Sequence, residues 1–308
     1  TAHVGEDLVM LISPNSISNN RIKVIIESGM IWNRRGTLSR NKEHLQARIS
    51  EKIIRVYTTE DIVDDDPYLD VKTPYMAVWL DGEIGISTGQ KKTLQEIKET
   101  IHIQKQKLQD EADEYGELSE AYVAVQAGIA WNLIYEPKHN RVVSTVGRLW
   151  NEEYGGYCLF GWDNFFLSFM TGLSSRDLAY ANAIEHLHGK TENGFIPNDN
   201  RGNGSKSFDR SQPPVGGIMV KEIYKRYPEQ WFLEATFDDL LGWNRWWPIS
   251  RMNEGLLSYG SSPADNPFNE PVFETKTAAG YESGMDDSPM YVGVPFNKNK
   301  HTLELQDV

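Results

Sequence analysis

The chain has 308 residues and a formal net charge of −13, and its lysines and arginines gather into no long run that could follow a phosphate backbone, which argues against nucleic acid and against an anionic membrane surface. Hydrophobic residues at 39% and charged residues at 24% are ordinary for a globular protein, so disorder and fibrous repeats are excluded and the length suggests about two domains. The single cysteine, Cys158, excludes an internal disulfide, and no Cys/His grouping has zinc-ligand spacing.

From Asp7 to about Gly89, short β-branched and aromatic runs alternate with turn residues: Leu8 to Ile12, Arg21 to Ile26, Ile53 to Thr58 and Tyr75 to Leu80, broken by Ser13-Pro14-Asn15 and Asp81-Gly82. A β-sandwich-like domain over residues 1–90 is expected. The acidic run Asp64 to Asp66 before Pro67 lacks the spaced ligands and glycine of a calcium loop, so it is expected to be a solvated turn. Residues 91–117 are polar and helix-favouring, with Leu94, Ile97, Ile101, Leu108 and Ala112 near helical spacing, and are expected to form a linker helix.

Residues 118–308 form the second domain on this reading. An apolar helix from Leu118 to Ile134 precedes helices at Trp162 to Leu173, Ser175 to His188, Val215 to Tyr227 and Gln230 to Trp247, with no strand pattern between them. Ser175 suits an N-cap and Pro213-Pro214 a first helical turn. The long loops at residues 151–161, 191–213 and 254–281 are richer in aromatics and carboxylates than a plain bundle needs, which marks them as functional. His186 and His188 lie two apart on a helix and so cannot share a metal, leaving them as partners of the helix C-terminus. Trp243, Trp246 and Trp247 are expected to divide between a core stripe and an exposed edge, with one of them as a candidate sugar platform. The glycines at 155, 156, 202 and 204 follow no phosphate-cradling pattern.

Cleavage of a glycosidic bond needs a carboxylic acid to protonate the leaving oxygen and a second carboxylate to activate water or attack carbon. Two acids in aromatic, polar surroundings stand out, Asp163 and Asp286. Either could be an ordinary cap or turn carboxylate. Asp286 is crowded in sequence by Glu282 and Asp287, however, and neighbouring like charges raise a carboxyl pKa as a general acid requires.

Five blocks then occur in order: Arg148 to Glu153 with Gly155 to Tyr157; Trp162 to Phe166; Asp209 to Val215; Trp243 to Trp247; and Glu282 to Ser288. Together they resemble glycoside hydrolase family 63, the processing α-glucosidase family with its bacterial relatives, and Met30 to Arg34 with the linker helix extends the likeness to bacterial members with a β-sandwich in front. The last block is also similar to the Glu-Ser-Gly-Trp-Asp signature of the trehalase family. The resemblance implies a mainly α fold, an (α/α)6 toroid incomplete in this chain, and an inverting O-glycosidase acting on an α-glucoside or α-mannoside without metal or organic cofactor. It makes Asp286 the general acid and Trp162, Asp163, Asn164, Arg210, Gln212, Trp150 and Asn151 substrate-binding residues.

In the resembled family the base is a glutamate in a late loop, and none of Glu270, Glu274 and Glu304 lies in a matching block. The chain is therefore expected to be a fragment, inactive by itself, with the missing C-terminal part as a partner and an oligosaccharide or small glycoside as substrate. Two rival readings are a catalytically inactive carbohydrate-binding homologue and a polysaccharide lyase on a similar toroid; the acidic composition and seven histidines disfavour the lyase. The apolar stretches are far shorter than a membrane span, and the visible N-terminus has no basic-then-apolar signal. A soluble protein follows, cytoplasmic rather than exported, although a chain starting at Thr1 would look the same after removal of a signal.

Overall fold

A computed structural model describes residues 1–15, 21–28, 36–63, 74–136, 141–151, 156–262 and 275–304, with backbone only for 148–151. The chain divides into two compact units, Thr1–Val123 and Ala124–Val308.

In the first unit, six antiparallel strands run in the order β1 (Ala2–Val4), β2 (Asp7–Ile12), β8 (Ile84–Thr88), β6 (Lys52–Thr58), β5 (His44–Ile49) and β4 (Thr37–Arg40), while β3 (Lys23–Glu27) pairs with β7 (Tyr75–Trp79). Period-two alternation decides which residues meet: Val24 and Ile26 of β3 and Met76 and Val78 of β7 pack on Leu45, Val56, Ile84 and Ile86 of the larger sheet. The two layers are thus a small sandwich. Helix α1 (Leu94–Asp113) opens with a capping box in which the Glu96 amide donates to Thr93 Oγ1 at 3.2 Å and the Thr93 amide donates to Glu96 Oε2 at 2.7 Å. It packs on β1, β2 and β8. Ile97, wholly buried, lies against Gly85, where a Cβ would come within 2.5 Å of it. Residues 30–34 and 64–67, read above from sequence, lie outside the described residues.

Helix α2 (Ser119–Asn132) leads into a hairpin of β9 (Leu133–Glu136) and β10 (Arg141–Ser144), and then into an antiparallel sheet of β11 (Gly147–Asn151), β12 (Gly156–Phe160) and β13 (Asp199–Arg201). Helices α3 (Gly161–Thr171), α4 (Arg176–Leu187), α5 (Gly216–Arg226) and α6 (Gln230–Arg251) follow, with α3 packed on α4 and α5, and α6 on α4 and α5. Ser175 caps α4, its hydroxyl accepting from the Leu178 amide. A short α7 (Lys276–Glu282) follows, with β14 (Met252–Asn253) and β15 (Leu256–Leu257) before it and β16 (Phe296–Asn297) and β17 (Thr302–Leu303) after it.

The second unit is therefore helical with antiparallel strands in its loops, which corrects the expectation of helices alone. Those strands have two to five residues each and pair locally, too short for an alternating pattern to register. Helix α6 also runs through Pro248 to Arg251 rather than ending at Trp247. The tryptophan expectation fails for a simple reason: residues spaced i, i+3, i+4 share one helix face. Trp243, Trp246 and Trp247 are accordingly all buried with Phe165, Leu187, Phe195 and Ile196 in one cluster. Among the described residues no helix is long and apolar enough to cross a membrane.

Candidate active site

The first turn of α3 is pinned from four directions. The Gly161 amide donates to the Asn198 carbonyl at 2.9 Å, and His186 Nε2–H donates to the Gly161 carbonyl at 2.8 Å. The Trp162 amide donates to Gln212 Oε1 at 3.1 Å, while the Phe160 amide donates to Asn164 Oδ1 at 2.8 Å. Gly161 is required here, since a Cβ would stand 2.7 Å from Gln212 Cβ. The pinned turn presents Trp162 and Asp163, both half-buried.

Histidine 186 is wholly buried beside the Phe165 ring, and burial brings its pKa down to about 4, so it is neutral. A neutral ring cannot be a charged partner of the helix C-terminus, which corrects that expectation for His186. His188 is exposed and contacts Glu185 at 3.3 Å.

The segment 209–212 forms the second wall. Arg210 is buried and donates to Asp209 Oδ1 at 2.7 Å, to Asp199 Oδ1 at 3.3 Å and to Asn198 Oδ1 at 3.3 Å, with its guanidinium 5.3 Å from the centre of the Tyr281 ring. Ser211 is fixed on both sides, accepting from Trp243 Nε1 at 2.8 Å and donating to the Ile196 carbonyl at 2.6 Å. Gln212 is buried against Gly161.

The third element is the end of α7. Glu282 is fully buried, and Gly284 follows with φ +71°, in the left-handed region that glycine supplies. A Cβ at Gly284 would lie 2.6 Å from Cε2 and Cζ2 of Trp162, so the loop rests directly on that ring. Asp286, two residues on, lies within electrostatic reach of Asp163 and of Arg210.

Both acids bind protons more tightly than usual. Burial raises the Asp163 carboxyl and the Asp286 charge raises it further, opposed by hydrogen bonds from its own amide and from the Trp162 side chain. Asp286 lies exposed at the surface; what burial it has still raises its proton affinity, the Asp287 charge adds to this, and its own amide and Arg210 oppose it. Glu282 contributes nothing to that shift, contrary to its crowding in sequence. The left-handed Gly284 sends the two carboxylates in different directions.

The structure thus brings together Trp162, Asp163, Arg210, Gln212 and Asp286. Asn164 stands apart: it is 1% exposed, and its amide bonds the Phe160 amide and the Ser144 carbonyl. A side chain this buried and held at both ends inside the scaffold is out of a sugar's reach, which corrects its assignment as a binding residue. The side chains of Trp150 and Asn151, and residues 152, 153, 270 and 274, lie outside the described residues. Glu304 accepts from Asn297 Nδ2 at 3.2 Å, beside the β16–β17 hairpin. Sequence reasoning did not single out His186 as a support, nor Arg251 and Asn198; each is an isolated polar residue in sequence whose role exists only through distant contacts. A separate polar cavity of about 410 Å³, lined by Arg141, Glu185, Asn200 and Lys206 among others, shares none of these residues.

Two carboxyls with raised proton affinity, the half-buried Asp163 and the exposed Asp286, lie near an indole ring and buried amide and guanidinium groups, an arrangement suited to acid catalysis on a polar substrate. Residues 159–302, which contain all of them, match the family model for the mannosylglycerate hydrolase MGH1-like glycoside hydrolase domain. The chain carries a glycoside hydrolase-like domain, which supports hydrolase activity on a carbohydrate. No curated protein matches the chain significantly.

Proposed function

We propose that this protein hydrolyses an α-linked glucoside or mannoside with inversion, Asp286 donating the proton to the leaving oxygen. The supporting observation is the seating of Gly284 on the Trp162 ring with Asp163 in the electrostatic field of Asp286. Trp162 offers an apolar face to a pyranose, and Asp163 accepts from sugar hydroxyls. Gln212 and Arg210 shape the pocket behind them. The helical unit is, on this reading, part of an (α/α)6 toroid. The name of the matched domain adds a mannosylated small acid to the substrates worth testing.

The general base is not assigned to the described glutamates. Glu282 is enclosed by donors and Glu304 is bonded to Asn297.

The test is to follow the product anomer by NMR as the protein acts on α-glucosides, α-mannosides, mannosylglycerate and trehalose. Inversion is expected on at least one; retention would overturn the mechanism. Asp286→Asn should lose roughly 10²- to 10⁴-fold in rate on substrates with poor leaving groups and much less on activated ones. Equal losses on both would remove the proton-donor role.

A further inference from the structure

Glu282 is the most enclosed acid of the described residues, at 0% exposure. Its Oε1 accepts from the Ser211 amide at 2.8 Å and Arg251 Nη2 at 2.9 Å, and its Oε2 accepts from the Gly260 amide at 2.6 Å and Arg251 Nε at 2.5 Å. Burial pushes its proton affinity up, but all four neighbours are donors. A protonated carboxyl would place its own O–H against them with no acceptor, so the group is a carboxylate. No substrate can reach it.

These donors come from three separate segments, and the contacts close a ring. The Trp162 amide donates to Gln212, whose neighbour Ser211 donates to Glu282. Glu282 is the last residue of α7, and two residues later Gly284 returns to the Trp162 ring. The only charged link in that ring is the Glu282 carboxylate. Its counter-ion, Arg251, ends α6 and also donates to Ser262 Oγ at 2.8 Å.

We propose that Glu282 is a positioning residue: by holding the last turn of α7 to the Ser211 amide, with Arg251 as counter-ion, it sets where the Asp286 carboxyl stands relative to the Trp162–Gln212 wall. The proposal rests on the reading of Asp286 as proton donor. A plain structural ion pair would behave differently, because a buried ion pair replaced by apolar side chains of similar volume often leaves stability unchanged or improved. An apolar pair cannot accept from the Ser211 and Gly260 amides.

Two variants separate these accounts: Glu282→Gln, which keeps the shape but sets an N–H among the donors, and Arg251→Met with Glu282→Leu, which removes both charges together. The direct readout is the titration of Asp286 followed by ¹³C NMR in aspartate-labelled protein, its signal assigned by its loss in Asp286→Asn. Asp287, Asp163 and Arg210 are the charged groups facing that carboxyl, and they are unchanged in both variants. Release of the loop from Trp162 would hydrate Asp286, so its midpoint is expected to move down toward an ordinary aspartate, even in a variant that still melts cooperatively. Turnover should fall roughly 10²-fold with KM less affected, the scale on which an ångström of misplacement acts. A folded variant of either kind with the wild-type Asp286 midpoint would overturn the proposal. If the double variant does not fold, the Gln variant decides. A moved midpoint in a protein whose wild type hydrolyses no glycoside would leave the positioning role intact and defeat the reaction instead.

Discussion

Replacing Gly284 by alanine tests the contact on which the site depends. At φ +71° an alanine pays for the left-handed backbone, about 1–2 kcal/mol. Its Cβ would also stand 2.6 Å from the Trp162 ring where ordinary contact begins near 3.4 Å, so ring or loop must retreat by about 0.8 Å. Overpacking of that kind costs about 1–3 kcal/mol, giving a total of about 2–5 kcal/mol. Two other glycines supply the controls. Gly293, at φ +82° with open space around it, should show the backbone cost alone when replaced. Gly280, inside α7 with only the Asp286 carbonyl at 3.4 Å, should be neutral or gain, since alanine is better than glycine within a helix by about 0.5–1 kcal/mol. Denaturant unfolding followed by far-UV circular dichroism measures all three, provided the m-values agree. A double variant adds a check: with Trp162→Ala in place, Gly284→Ala should cost no more than Gly293→Ala. If Gly284→Ala is as mild as Gly293→Ala in the wild-type background, the loop does not rest on Trp162 and the assembled site is wrong.

Two further outcomes follow from the charges. The Asp287 charge raises Asp286, so Asp287→Asn should lower the Asp286 pKa and shift the alkaline limb of the activity profile to lower pH; a limb that stays, or moves up, would contradict the assignment of that limb to Asp286. His186 takes a proton below about 6.5 when unfolded but only below about 4 when folded, so its contribution is complete above pH 6.5 and lost as pH falls toward 4. That difference is about 3 kcal/mol at most. His186→Gln, measured by unfolding at several pH values, should flatten this part of the stability curve, and an unchanged slope would mean that other groups cause it.

What could be read from sequence was whatever local pattern records. The strands at Asp7–Ile12, Lys52–Thr58 and Tyr75–Trp79 follow from β-branched runs between turns, and α1 from its polar, helix-favouring composition and its spacing. Trp162, Asp163, Arg210, Gln212 and Asp286 were recoverable as motif residues, and they stand together here. The misreadings arose where position in the fold decides. Asn164 shares a motif with Asp163 but points inward to cap Phe160. Helix α7 is seven residues in a long polar stretch, too short for its periodicity to show. Arg251 lies just beyond a proline that normally ends a helix, and its partner is 31 positions away.

Four positions separate Glu282 from Asp286, and on an uninterrupted helix their carboxylates would lie on one face and repel. The left-handed Gly284 removes that relation, leaving Glu282 buried and Asp286 exposed with its charge felt by Asp163. The two arginines nearby enforce the division. Arg251 gives two of its nitrogens to Glu282 and so keeps the inner acid ionised. Arg210 is held by Asp209, Asp199 and Asn198, and its field only partly offsets the burial and the Asp287 charge that raise Asp286. Were Arg210 turned from those partners onto Asp286, an ion pair there would favour the charged carboxylate, and the proton needed by a leaving oxygen would be lost near neutral pH. On the proposed reading, the buried bonds of Arg210 support an acid at position 286, because they keep the cation close to the site and unable to neutralise the donor.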